Sequence, residues 1–256
     1  MIRKYGSDFT RKLWSDVDHI LLVYVGSAAE FALVEDNHWL FYTNKLPSAP
    51  LDRLLSTFVW NRKVMMTSVG DAPALARTIR GFHDQVESER AREEGGHPRI
   101  SNQGFKAVGA MLIEYALIAE AYLEQREVGS EEKENYYQDQ RGFFEAMGIE
   151  DWEPTYAEFA RRREDTMPIM LKTNQYTDEL FASYKRDIGI IRYWVLRQFM
   201  AWFVPAHVAT ELGLRKIPGF GFLYRLYPKL HGKHAGRWVR KLLLPGRVLQ
   251  NIQGTE

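Results

Sequence analysis

An all-helical fold is predicted, a single multi-helix globular domain, on three observations. Apolar residues recur at helical steps of three and four along most of the chain. Helix-start and helix-stop signals punctuate that pattern, and no run of alternating apolar and polar residues marks a strand. The chain has 256 residues, enough for a large core, and neither internal repeats nor low-complexity segments are present.

The first strong element runs from Asp16 to Val34. Its longest apolar run, Ile20 to Val34, is 15 residues and contains Glu30. A membrane-spanning helix needs about 20, so this is read as a buried helix. Gly26, Ser27, Ala28 and Ala29 form a patch of small residues where another backbone or a planar ring can approach closely. An aromatic segment, Asn37 to Thr43, follows, and Pro47 and Pro50 end it.

From Pro50 the pattern is helical again, with Leu51, Leu54, Leu55, Phe58 and Met65 on one face and Arg53, Thr57, Trp60 and Val64 on the other. A helix apolar on both sides is buried, so Arg53 and Thr57, four residues apart, point inward together. A buried arginine needs a partner, which a protein carboxylate or an anionic ligand can supply. Asp71-Ala72-Pro73 opens the next helix, with Asp71 as N-cap. Leu75, Ile79, Phe82 and Val86 form its inward stripe, His83 sits at the edge and Arg80 lies one turn back. A histidine there is either a hydrogen-bonded core residue or an axial ligand to an iron porphyrin whose propionates take the arginines.

That helix breaks at Gly95-Gly96. Ser101 caps a long helix with Phe105, Val108, Leu112, Tyr115, Ala119 and Tyr122 facing inward. Gly129, then Ser130 with Glu131 and Glu132, starts a helix that stops at Gly148, and Thr155 to Glu158 is a capping box opening another. Residues 174–214 read as helix, kinked or split at Pro205.

The runs "PLDRLLSTFVWNRK", "ARTIRGFHDQV" and "EKENYYQDQRGFFEAMGIEDWEPTYAEF" together resemble the oxygenase family of the fungal ER-bound enzyme MpaB and the bacterial latex-clearing proteins. The resemblance covers roughly residues 20–170 and rests on order: Arg-x-x-x-Thr, then Arg-x-x-His, then a Tyr-Tyr helix ending at Gly-Ile. It implies an all-helical domain enclosing a b-type haem and an oxygenase that uses dioxygen on a small apolar, alkene-bearing substrate. His83 is then the axial iron ligand, Arg80 its neighbour, and Arg53 and Thr57 line the haem pocket. Two positions depart from the latex-clearing pattern: Glu87 stands where a second arginine is expected, and Ser56 where a distal lysine is expected. The resemblance therefore implies the haem without implying rubber cleavage itself. Two other readings stay open: a non-catalytic haem or lipid carrier on the same fold, and a cofactor-free helical protein.

Other groupings carry less. The absence of cysteine excludes disulfides, thiolate-ligated haem, iron–sulfur clusters and covalent haem attachment, and is compatible with a cytoplasmic setting. No apolar core follows the basic N-terminus, so no secretory signal is read. Glu94-Gly-Gly-His97 has the spacing of a di-iron motif but occurs once, in a glycine break. His207, just after Pro205 in an apolar helix, reads as a core histidine and is the reserve iron ligand if His83 is not the ligand. His231-Gly-Lys-His234 could touch a metal but reads rather as an exposed basic loop, and His19 and His38 carry no signal. Glu30 is a distal acid–base candidate, or else one half of a buried salt bridge to an arginine.

Charge divides the chain near residue 212. Between Glu211 and Glu256 nine cations occur without one carboxylate, interleaved with aromatic and aliphatic residues. Residues 1–212 are expected to form the haem-binding domain and 213–256 a basic amphipathic extension, packed on it or lying on an anionic membrane surface. No nucleic-acid-binding module accompanies the basic segment, so no nucleic-acid partner is expected.

Overall fold

The computed structural model describes residues 3–34, 50–93, 100–232 and 240, with side chains described except at 50–55, 86 and 89–93. The described residues form ten helices and no strand, only two isolated bridges pairing Lys4 with Ser68 and Val34 with Leu171. In chain order these are α1 (Asp8–Ser15), α2 (Val17–Phe31), α3 (Pro50–Met66), α4 (Ala72–Glu93) and α5 (Asn102–Glu124). There follow α6 (Ser130–Ala146), α7 (Tyr156–Met170), α8 (Gln175–Phe203), α9 (Ala206–Glu211) and α10 (Pro218–Leu230).

α2 is the axis of the fold. Every residue from Asp18 to Glu30 is buried, as an apolar helix with a weakly sided pattern requires. Its start is fixed by Asp16, whose carboxylate accepts from the Asp18 and His19 amides at 2.7 and 3.2 Å. α5 packs along it, and the small-residue patch is where the two come closest. A Cβ placed on Gly26 would lie 2.1 Å from the Tyr115 ring. The planar ring admitted by the patch is thus Tyr115.

α1, α3 and α6 close one side. Thr10 Oγ1 and the Ser7 amide both donate to Asp139 Oδ2, at 2.5 and 2.8 Å. The buried Asn61 and Gln140 amides exchange hydrogen bonds of 3.0 and 3.3 Å, locking α3 onto α6. α3 buries Phe58 and Met65 on one face and Val64 on the other, with Trp60 half-buried.

The local signals act where expected. The Ser101 hydroxyl accepts from the Gly104 amide at 2.9 Å and Glu132 caps the Gly129 amide at 2.9 Å; Thr155 accepts from the Glu158 amide at 3.3 Å but donates its hydroxyl to the Glu158 carboxylate at 3.0 Å, so the predicted box is only half made. Gly148, with φ +78°, takes the left-handed turn after α6 that a side chain would disfavour. Asp71 departs in detail: its carboxylate accepts from the Ser68 hydroxyl at 2.6 Å, and its carbonyl takes the Leu75 amide at 3.1 Å. Pro205 splits α8 from α9, and a second break lies at Gly189 inside α8, with φ 79° and ψ 163°. The aromatic segment 37–43 with His38, the Gly95-Gly96 break, the Glu94–His97 pair and His234 lie outside the described residues.

Candidate functional site

Two helices, α3 and α4, carry the predicted residues, and α5 meets α4 through Phe105. α4 runs beside α3, and the Trp60 and Phe82 rings meet at 5.5 Å, one residue from His83. His83 is half-buried, with its ring edge-on to Phe105 at the start of α5, centroids 5.1 Å apart. Its Nδ1 lies 2.9 Å from the Ile79 carbonyl, one turn back. A carbonyl can only accept, so Nδ1 carries the proton and Nε2 keeps its lone pair. Among the described residues nothing hydrogen-bonds to Nε2. Burial lowers the His83 pKa, which favours this neutral form.

Arg80 lies over the same Phe105 ring at 4.6 Å and is paired with Asp84, Nε to Oδ1 2.8 Å, on the exposed edge of α4. Thr57 is half-buried on α3, one turn before Trp60. The backbone of Arg53 is on the same helix, and its side chain lies outside the described residues. The predicted inward stripe of α4 needs correction at Phe82, which is 46% exposed beside Trp60; Ile79 is buried, Leu75 is half-buried, and the Val86 side chain is outside the described residues. Helical spacing set the face, but exposure depends on the neighbouring helix: Phe82 meets Trp60, itself half-buried, and stays partly in solvent.

Glu87, the first departure from the latex-clearing pattern, has a backbone role: its Oε1 accepts from the Ile100 amide at 3.0 Å, fixing the chain as it enters α5. Ser56, the second, is exposed.

Glu30 lies 1% exposed in a separate cluster. The Tyr115 hydroxyl donates to Oε2 at 2.9 Å and Arg163 Nη2 to both oxygens at 2.8 and 2.7 Å. Arg163 Nε donates to Glu114 as well. Burial and the Glu30 charge push the Tyr115 pKa well up. This is the salt-bridge outcome for Glu30. Arg163 and Glu114 escaped the sequence reading, since 133 residues separate the main pair and nothing local relates them. His207, the reserve ligand, is half-buried with Nε2 unpartnered among the described residues, and burial lowers its pKa. Above Glu30 a cleft of about 80 Å³ opens between α5 and α7, lined by Lys106, Trp152, Phe159 and Met167 among others. It is too small for a porphyrin, since small-molecule pockets begin near ~300 Å³, and His83 is not part of it.

The model of the family described as "ER-bound oxygenase mpaB/B'/Rubber oxygenase, catalytic domain" matches residues 17–233. The chain belongs to this family. The match takes in α2 through α10, and so every described residue of the His83 site lies inside the oxygenase catalytic domain. No curated protein and no solved structure gives a match. No described helix is long and apolar enough to cross a membrane.

Proposed function

We propose that this oxygenase-family domain works with haem b, its iron held by His83 Nε2, on an apolar, alkene-bearing substrate of isoprenoid or lipid type. The observation that carries the reading is the state of His83: its proton held on Nδ1 by Ile79, burial favouring the neutral ring, and Nε2 without a partner among the described residues beside a cation. That is the donor an axial ligand requires, since the hydrogen bond on the far nitrogen sets tautomer and ring direction. The neighbouring residues fit the group as well. Phe105 supplies an apolar edge, and the exposed Arg80–Asp84 pair is cheap to exchange for a propionate. Arg53 and Thr57 are assigned to the same pocket from α3. Bound haem would supply the activation of dioxygen, while the chain contributes the ligand, the paired charges and the exclusion of water.

The departures at Ser56 and Glu87 favour a second reading, a non-catalytic haem or lipid carrier, because Glu87 is spent on a backbone amide. The test is the absorption spectrum of protein expressed with adequate iron. A stoichiometric Soret band is expected, and His83→Ala should lose it while keeping its helical circular dichroism. Full retention of the band moves the ligand elsewhere, first to His207. Dioxygen uptake with an alkene lipid then separates oxygenase from carrier.

A further inference from the structure

The segment beginning at Gly213 divides its apolar residues between two sides of α10. Inward, Phe220 meets Phe199 at 5.3 Å, Tyr224 stacks on Tyr122 at 4.4 Å, and Tyr227 donates to Asp18 at 2.6 Å. Outward, Phe222 and Leu223 are 68% and 55% exposed. The second half of α8 adds Ile190, Ile191 and Trp194, exposed by 66%, 70% and 48%.

α8 and α10 pack against each other here. The Trp194 ring stands edge-on to Phe220 at 5.8 Å. One turn further along α8, Gln198 donates to the Arg215 carbonyl at 3.2 Å and accepts from the Ile217 amide at 3.1 Å, which pins the start of α10 beside Trp194. Single exposed apolar residues are ordinary, but five large ones exposed on two helices that pack together mark a contact surface.

Its charge indicates what covers it. Arg215, Lys216, Arg225 and Lys229 are exposed on α10 and just before it, and no carboxylate occurs in the sequence between Glu211 and Glu256. A second copy meeting this face across a two-fold axis would set cations against cations, which disfavours self-pairing. An anionic leaflet supplies both the apolar layer and the opposite charge.

We propose that the α8–α10 face docks on an anionic lipid surface, with Phe222, Leu223 and Trp194 entering the interface and the four cations meeting headgroups. Contact is peripheral, since no described helix can span. The proposal needs neither haem nor His83, so it stands or falls apart from the oxygenase reading.

Co-sedimentation of the full chain tests it, using vesicles of phosphatidylcholine alone and with about one-third phosphatidylserine. Binding is expected only to the anionic vesicles and should fall with salt. Phe222→Ser with Leu223→Ser should weaken it by about ten-fold or more, and Arg225→Gln with Lys229→Gln by a similar factor. Both pairs of side chains are exposed, so an unchanged melting temperature is the folding control. Trp194→Phe should remove most of the quenching by brominated lipid. Three results overturn the proposal. One is a folded wild type that binds neither vesicle. Another is binding that both double variants leave intact, which places attachment elsewhere on the chain. The third is a dimer made monomeric by the Phe222→Ser, Leu223→Ser variant, with no lipid binding, which assigns the face to a second copy.

Discussion

Arg163 and Arg80 each project from a helix onto carboxylates, yet they sit in opposite situations. The Arg163 side chain is 10% exposed, pressed between Glu30, itself 1% exposed, and Glu114. Arg80 is 27% exposed and holds Asp84, 54% exposed, across one turn of the same helix. The first pair is closed: every charge has a partner, and burial makes the loss of one costly. The second is open, since solvent or another anion can take the place of Asp84 at little cost. Closed clusters hold a fold together, whereas open cations beside an apolar edge are available to ligands.

The largest effect should come from breaking the closed cluster. Glu30→Gln leaves the Arg163 guanidinium buried without its main charge partner, and about 3–5 kcal/mol of stability should go. Asp84→Asn removes the partner of Arg80 and should cost no more than ~0.5 kcal/mol. Denaturant unfolding of both variants checks the pair, and equal losses would erase the distinction.

Next comes Gly26→Ala, which drives a methyl group into the Tyr115 ring and so displaces the hydroxyl that Glu30 accepts from. About 1–3 kcal/mol should be lost, read from thermal melts. If the haem reading holds, His83 should bind as before in this variant, because Tyr115 belongs to the closed side of the molecule.

On the open side, Arg80→Ala should weaken haem retention roughly ten-fold, a charge-assisted propionate bond being worth about 1.5–3 kcal/mol. Competition by a haem-binding apoprotein measures it. An unchanged rate of haem loss would leave Arg80 as a partner of Asp84 and nothing more.

The smallest effect concerns a third, half-open pair. His231 Nε2 donates to Asp16 Oδ2 at 2.7 Å, tying the end of α10 to the start of α2. That hydrogen bond raises the His231 pKa. Burial acts to raise the Asp16 carboxyl, but the bonds from His231 and the α2 amides outweigh it and hold it at about 2. A raised imidazole contributes fully below its ordinary value near ~6.5 and ceases to contribute as pH climbs through the folded value. A lowered carboxyl contributes above about 4 and is lost as pH falls toward 2. The pair is one interaction, strongest from about pH 4 to 6.5, and partial exposure keeps it under ~1 kcal/mol. Wild-type melting temperature should therefore drop more between pH 6 and 9 than that of His231→Gln.

Most of the fold was legible because helices are local objects. Ser101, Glu132, Thr155, Gly148 and Pro205 act within a few residues of themselves, so spacing alone located the ends. The break at Gly189 also had a signal, a glycine within a long helical pattern, but only its left-handed φ reveals the kink. The candidate site was legible as Arg-x-x-His on one helix and Arg-x-x-x-Thr on another, read with the family resemblance. The hydrogen bond that fixes the His83 ring also lies within one turn.

By itself the sequence determined the helices from α2 to α9, the buried character of α2, and a small patch at Gly26 where a backbone or a ring could come close. Tertiary structure alone decided that the ring is Tyr115, that Glu30 belongs to Arg163, and that Phe82 is left in solvent. It also decided that the basic segment turns one side of α10 into the core and the other outward beside α8. The reason is the range of the forces. Hydrogen bonds along a helix are set by neighbours in the chain, whereas burial, close packing and the pairing of buried charges depend on which distant segments meet.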